Sequence, residues 1–313
     1  MILSVSRRTD IPAFYSEWFI NRLAAGYVYV RNPMNFNQVS KIDIRPEVTD
    51  CIVFWSKNPQ PLLEKLDIID QMGYQYYFQF TITPYNNKIE RALPDKKEIS
   101  RTFIKLSKRI GKDKVIWRYD PIILNSEWTI QAHIKAFEEM AAELSEHTQE
   151  CIISFVDPYQ KTMRRNEDSL IRSINESEMC SIAEAFSEIA GKVNVKVKTC
   201  AEGIDLDRYG IEHASCIGRA KIESIIQCSL TDKLKKDEQR EHCGCIQCID
   251  IGAYNTCQHG CRYCYATISP KEAMKNYKLH DPKFALLIGD GMLIEKVSER
   301  KVKSLKVEQM NFL

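Results

Sequence analysis

The stretch Cys51-Ile52-Val53-Phe54-Trp55-Ser56-Lys57-Asn58-Pro59 decides the fold class. A short apolar run is followed at once by a helix start. Asn58 can cap a helix, and Pro59 suits the first helical position. Leu62, Leu63, Leu66 and Ile69 then recur at the i, i+3, i+4, i+7 spacing of one buried helix face, and Gly73 is the stop.

The same unit recurs along the chain. Apolar runs stand at Ile2–Ser6, Tyr76–Thr83, Val115–Tyr119, Cys151–Val156 and Val193–Thr199. Asp10, with Pro12 in the first turn, opens a helix that Gly26 ends, with Phe14, Trp18 and Leu23 on its buried face. Further helices are predicted from Asp95 to Gly111, after Ser126, and from about Glu176 to Gly191. Tyr27–Arg31 reads as an added strand. Alternating strands and helices imply parallel strands joined by right-handed crossovers. The expected fold is α/β, a partial or complete TIM-like (β/α) barrel over residues 1–200, with an open doubly wound sheet as the alternative. Residues 201–313 read as a cysteine-rich region packed on the barrel mouth within the same structural unit, and Tyr209–Ala220 as loop.

The C-terminal strand ends, where such folds carry their sites, are polar. They read Ser6-Arg7-Arg8-Thr9-Asp10, Ser56-Lys57-Asn58, Thr81-Ile82-Thr83, Arg118-Tyr119-Asp120-Pro121, Asp157-Pro158-Tyr159 and Thr199-Cys200-Ala201-Glu202. Turn chemistry and capping explain part of this, Asp10 and Asn58 above all. A strand that only turns does not need Arg, Lys, Asp and Glu converging from several positions.

The chain has 313 residues and a formal charge of +2, so nothing in its balance points to nucleic acid or a membrane, although a nucleic-acid substrate stays open. No apolar stretch reaches the roughly 18 residues of a membrane span. The order of charge and apolar residues in Met1–Arg8 is the reverse of a secretory signal, so a cytoplasmic location is expected. Twelve cysteines are present, and six of them fall between Cys243 and Cys264. Clustered thiols in a reducing compartment bind metal more often than they pair. Cys51 and Cys151 open apolar runs and read as core residues.

Cys257, Cys261 and Cys264 form a C-x3-C-x2-C run. Three thiolates so spaced can hold a 4Fe–4S cluster and leave the fourth iron open to a chelating ligand, with Tyr263 as a shield from water. Cys200, Cys216, Cys243 and Cys245 could hold a second, fully ligated cluster, with Cys248 as a possible substitute. Cys245-x2-Cys248 and Cys261-x2-Cys264 could instead be zinc knuckles.

Together, Ser4–Pro12, Phe54–Pro59, Thr199–Glu202 and Asp250–Ala266 resemble a bacterial family labelled a domain of unknown function, number 1848, over almost the whole length. The cysteine run is also similar to that of radical S-adenosylmethionine (SAM) proteins of the spore photoproduct lyase type, where it follows the first strand rather than the sixth. That resemblance implies reductive cleavage of SAM at the cluster, hydrogen abstraction from a substrate of unknown identity, and a reducing donor such as flavodoxin or ferredoxin. Arg7, Arg8, Lys57 and Arg118 would then bind anionic groups, and Asp10, Asp120 and Glu202 would orient ribose hydroxyls or the amine. Lys57, Asn58, Glu202 and Tyr263 are the expected cofactor contacts. An electron-transfer protein without SAM and a zinc-stabilised hydrolase or nucleic-acid-binding protein are the alternatives.

Overall fold

The computed structural model describes residues 1–156, 171–237, 242–289 and 297–307. The expected strand end Asp157-Pro158-Tyr159 lies outside the described residues.

The chain runs β1 (Ile2–Val5), α1 (Ile11–Phe14), α2 (Ser16–Ala25), β2 (Tyr27–Arg31), β3 (Val39–Asp43), β4 (Cys51–Ser56), α3 (Gln60–Leu63), α4 (Leu66–Gln71), β5 (Tyr76–Thr81), α5 (Lys96–Ile110) and β6 (Val115–Ile122). It continues through α6 (Ile130–Leu144), β7 (Glu150–Phe155), α7 (Glu176–Lys192), β8 (Lys196–Cys200), β9 (Glu212–Ala214), α8 (Arg219–Ile226), β10 (Ile249–Asp250), α9 (Pro270–Lys278) and β11 (Val297–Arg300). Eight strands form one parallel sheet in the order β10-β1-β4-β5-β6-β7-β8-β9, and β11-β3-β2 form a second sheet.

The six expected strands and their parallel pairing are present. Several expectations are corrected. The helix expected from Asn58 to Gly73 is not continuous: Pro59 stands at the cap position, and the segment divides into α3 and α4 at Glu64–Lys65. The complete barrel is not formed, because no ladder joins β9 to β10 among the described residues. The stretch Tyr209–Ala220 is not all loop: β9 pairs with β8, and α8 begins at Arg219. The tail also returns to the start of the chain, since Leu3 and Ser4 pair with Ile249 and Asp250.

Local signals explain the helices. Asp95 caps α5 through Lys97 N, and Asn175 and Glu178 form a capping box on α7. The helix opened by Asp10 breaks at Tyr15, whose hydroxyl donates to Thr256 O at 2.7 Å.

The two faces of the main sheet differ. On one, Leu3, Val5, Phe54, Phe78, Phe80, Trp117 and Ile153 pack with Trp18, Phe19, Leu66, Phe103, Phe137 and Phe186 of the helices. Each such side chain contributes roughly 1.5–3 kcal/mol by leaving water. On the other face, Ile2, Val53, Tyr77, Ile116 and Ile152 pack on Ile217 and on Ile222 and Ile225 of α8. This second face is concave. Cys216 meets β5 through Gln79 Nε2 (2.9 Å, to its carbonyl), β6 through Arg118 Nη1 (2.9 Å) and β8 through Cys200 Sγ (3.0 Å). In a flat sheet β5 and β8 would lie about 14 Å apart.

Candidate functional site

Because side chains alternate along a strand, the concave face can be read position by position toward the strand ends. It passes from Ile2 to Ser4 and Ser6, from Val53 to Trp55, from Tyr77 to Gln79 and Thr81, from Ile116 to Arg118 and Asp120, and from Ile152 to Ser154. The apolar positions meet α8. The positions nearest the strand ends, Ser6, Trp55, Thr81, Arg118, Asp120 and Ser154, line a cavity of about 610 Å³. Its walls include Arg7, Arg8, Asp10, Lys57, Arg118 and Asp120, all expected from the sequence, together with Tyr263 and seven cysteines. Two rim peptide bonds, Val5–Ser6 and Asp120–Pro121, are cis.

All twelve cysteines are free thiols. Cys257, Cys261 and Cys264 lie on the wall contributed by the C-terminal region. Behind them is a buried ionic network. The Glu90 carboxylate accepts from Lys57 Nζ (2.7 Å), Thr83 Oγ1 (2.8 Å), Lys96 Nζ and the Tyr263 hydroxyl. Burial alone would raise the Glu90 carboxyl. The ammonium groups of Lys57 and Lys96 more than offset that and hold it down at about 2. Burial pushes the Cys257 and Cys261 thiols up. Next to them His259 Nε2 lies 2.7 Å from Asp10 Oδ2. Burial would also raise the Asp10 carboxyl, yet it is held below its ordinary value, chiefly by His259.

The four dispersed cysteines also converge. Cys200 touches Cys216 at 3.0 Å, Cys216 interacts with Cys245, and Cys245 with Cys243. Arginine backs this group where lysine backs the first. Arg118 donates to Cys216 Sγ, pairs with Asp120 and lies over the Trp55 ring; Arg7 lies over the same ring and pairs with Asp237 at 2.6 Å. The hydrogen bond with Cys245 is the main cause that lowers Cys243 to about 7. Cys248 is set apart, its thiol 3.7 Å from Asp237 Oδ2. Cys51 and Cys151 are fully buried, as expected.

Not every candidate reaches the cavity. Asn58 Oδ1 accepts from Gln60 N, and Glu202 Oε1 accepts from Phe155 N at 2.9 Å. Neither belongs to the cavity wall. Asp10 lines it but is heavily engaged, by Ala13 N, Ser56 Oγ, Lys57 N and His259. Arg8 lies over Tyr254 and 4.0 Å from Asp250. Asp250 itself accepts from Ser4 Oγ, Ser6 Oγ, Arg7 N and Gly252 N, and so fixes the first strand end. Gly252 is required by this packing, since a Cβ there would meet Ser6 Oγ at 2.0 Å. Gly260 turns the cysteine loop at φ +67°. Glu90 and Lys96 were missed by sequence reasoning. The available signal was an acid and a base in the segment that follows the fifth strand, at its C-terminal end.

Among the described residues no three His, Cys, Asp or Glu side chains converge on a point that one metal ion could occupy. A multi-iron cluster does not ask for that convergence, because each thiolate ligates a different iron. The donor set fits such a cluster: buried thiols that need cationic compensation, with cationic side chains near both groups. Two buried cavity-lining atoms, Thr9 Oγ1 and His259 Nδ1, have no hydrogen-bond partner among the described residues.

Residues 2–266 match the family described as a domain of unknown function, DUF1848. The chain belongs to that family. No curated protein matches this DUF1848 member. Among solved structures, a putative alpha-L-fucosidase from Bacteroides thetaiotaomicron is similar at 13% identity over 52% of this chain and 68% of that one, with a TM-score of 0.26. At that score the likeness bears on neither fold nor activity. The likeness to radical SAM proteins rests on the cysteine run alone.

Proposed function

We propose that this DUF1848 protein is an iron–sulfur enzyme of the radical SAM kind, built on a partial TIM-like barrel. One observation carries the reading: the three thiols of the C-x3-C-x2-C run and the polar ends of several parallel strands line one cavity of about 610 Å³. Pockets of that size suit a cofactor with a small substrate. Cys257, Cys261 and Cys264 would hold a 4Fe–4S cluster with one open iron. When reduced, such a cluster supplies one electron that cleaves SAM to methionine and a hydrogen-abstracting 5′-deoxyadenosyl radical.

The chain's own residues bind, orient and exclude water. Arg8, Lys57 and Arg118 present positive charge to a carboxylate or other anionic group. Asp120 and Ser154 offer oxygen atoms to hydroxyls. Trp55, Tyr254, Tyr263 and Tyr265 wall the site from solvent. His259, held by Asp10, keeps Nδ1 for a group in the cavity. Asn58 and Glu202, spent on backbone groups, leave cofactor contact to these neighbours. The contacts among Cys200, Cys216, Cys245 and Cys243 support a second cluster facing the same cavity. A cytoplasmic setting and a donor such as flavodoxin or ferredoxin suit both centres.

The test is anaerobic. The protein is reconstituted with iron and sulfide, reduced and given SAM, and 5′-deoxyadenosine and methionine are measured. Stoichiometric products that vanish in Cys261→Ala support the reading. A loaded, reduced protein that leaves SAM intact overturns it.

A further inference from the structure

The cysteine loop is clamped to a helix that carries exposed apolar side chains. Helix α9 begins six residues after Cys264. Its Ala273 carbonyl accepts from Gln258 Nε2 at 2.9 Å, and Asn276 Nδ2 donates to Asn255 O at 2.9 Å. Asn255 Oδ1 in turn accepts from Ile268 N and Ser269 N. The helix therefore moves with the loop that carries Cys257 and Cys261.

Of its residues only Ala273 is buried. Met274 is 57% exposed, and Tyr277, Leu279 and Phe284 follow at 43%, 53% and 41%. Single exposed apolar residues are ordinary, but four within eleven positions beside the cysteine loop are what an interaction surface would need. Lys271, Lys275, Lys278 and Lys283 stand exposed around them. Among the described residues only Lys275 of these meets a carboxylate, Glu272 at 4.0 Å. Glu272 and Asp281 are the acids of this stretch, so the patch is basic with an apolar centre.

The patch connects inward through aromatic rings. Tyr277 lies 6.5 Å from Phe14, and Phe14 lies 4.6 Å from His259, two residues from Cys257 and Cys261. On a second line Tyr277 lies 5.8 Å from Tyr15, whose hydroxyl bonds Thr256 O beside Cys257.

We propose that the exposed face of α9 and of the turn that follows it, as far as Phe284, is the docking site of an acidic one-electron carrier protein. The proposal rests on the cluster reading above. Electron-transfer encounters are small, generally under about 1,200 Å² in total, and are steered by charge more than held by area. A ring of lysines around a few apolar side chains fits that description. The carrier loses one electron and the cluster on Cys257, Cys261 and Cys264 gains it, and no bond or proton is exchanged.

The experiment mixes the reconstituted full-length protein with reduced flavodoxin in an anaerobic stopped-flow instrument and follows cluster bleaching. The doubly substituted variant Lys275→Glu/Lys278→Glu should react about tenfold more slowly at low salt. Added salt should slow the wild type and narrow the gap. Reduction by photoreduced deazaflavin, which carries no docking surface, should be unchanged in the variant. Lys105→Glu/Lys112→Glu, with both changes toward the other end of the sheet, controls for net charge and should react as wild type. Equal flavodoxin rates for wild type and the α9 variant overturn the docking site and leave the cluster reading intact. A protein that takes up no iron overturns both.

Discussion

The two thiol groups facing the cavity were assembled in different ways. Cys257, Cys261 and Cys264 come from eight consecutive residues and lean on a buried Lys57–Glu90–Lys96 network. Cys200, Cys216, Cys243 and Cys245 come from a strand end and two later segments, and lean on Arg118 and Arg7. A contiguous run sets its own spacing and needs support only from behind. A dispersed group exists only once the sheet has curved, so its integrity reports on the fold as a whole.

The largest effect expected from this contrast is on chemistry. Cys261→Ala should abolish SAM cleavage, at least about 100-fold below wild type, whereas Cys216→Ala should retain part of it. Product formation in both variants under single-turnover conditions checks the order, and equal losses would erase the distinction between the groups. Iron content comes next. Cys216→Ala should fall from about eight to about four irons per chain if each group carries one four-iron cluster. An unchanged count would leave the dispersed thiols without metal.

The supports differ in burial, and stability should show it. The Glu90 side chain is 1% exposed and holds two lysines, whereas Asp120 is 22% exposed and holds Arg118. Removing one member of a fully buried ion pair costs about 3–5 kcal/mol. Glu90→Gln should therefore destabilise by about 3 kcal/mol, and Asp120→Asn by about 1 kcal/mol after solvent screening. Urea melts of the metal-free proteins decide whether that order holds.

Acid should act through the same carboxylate. Glu90 is lowered from 4.5 to about 2 in the folded chain. A depressed carboxyl contributes its stability fully above the unfolded value. That contribution, roughly 3 kcal/mol, is lost as pH falls from 4.5 through 2. Melts between pH 5 and pH 2 should show a steeper fall for wild type than for Glu90→Gln, and parallel curves would remove Glu90 as the cause.

The parts legible in the sequence are those whose cause is local. The β4 run, the α5 helix opened at Asp95 and the α7 helix opened near Glu176 all sit where their residues put them. The cysteine run was legible for the same reason. The parts that escaped are set by distant partners. Strand β10 is two residues long, and Asp250 acquires its role from Ser4 and Ser6. Strand β9 is three residues long and pairs with the end of β8. The acid and base of its segment mark Glu90 only faintly, because what defines it is Lys57 and Tyr263 arriving from elsewhere. Asn58 and Glu202 carried the right chemistry, but nearby backbone N–H groups claimed their oxygens first.

The seating of β10 on the outer edge of β1 has a consequence for biosynthesis. The first strand emerges from the ribosome some 245 residues before the partner that pins its polar end through Asp250. Strands β4 to β8 can pair as they appear, but the Arg7–Arg8 corner and the thiol loop are completed only by the last quarter of the chain. Any metal cluster taken up by the proposed site would then be loaded late in the life of the nascent protein, and a chain truncated before Asp250 would carry most of its sheet yet offer no finished pocket to fill.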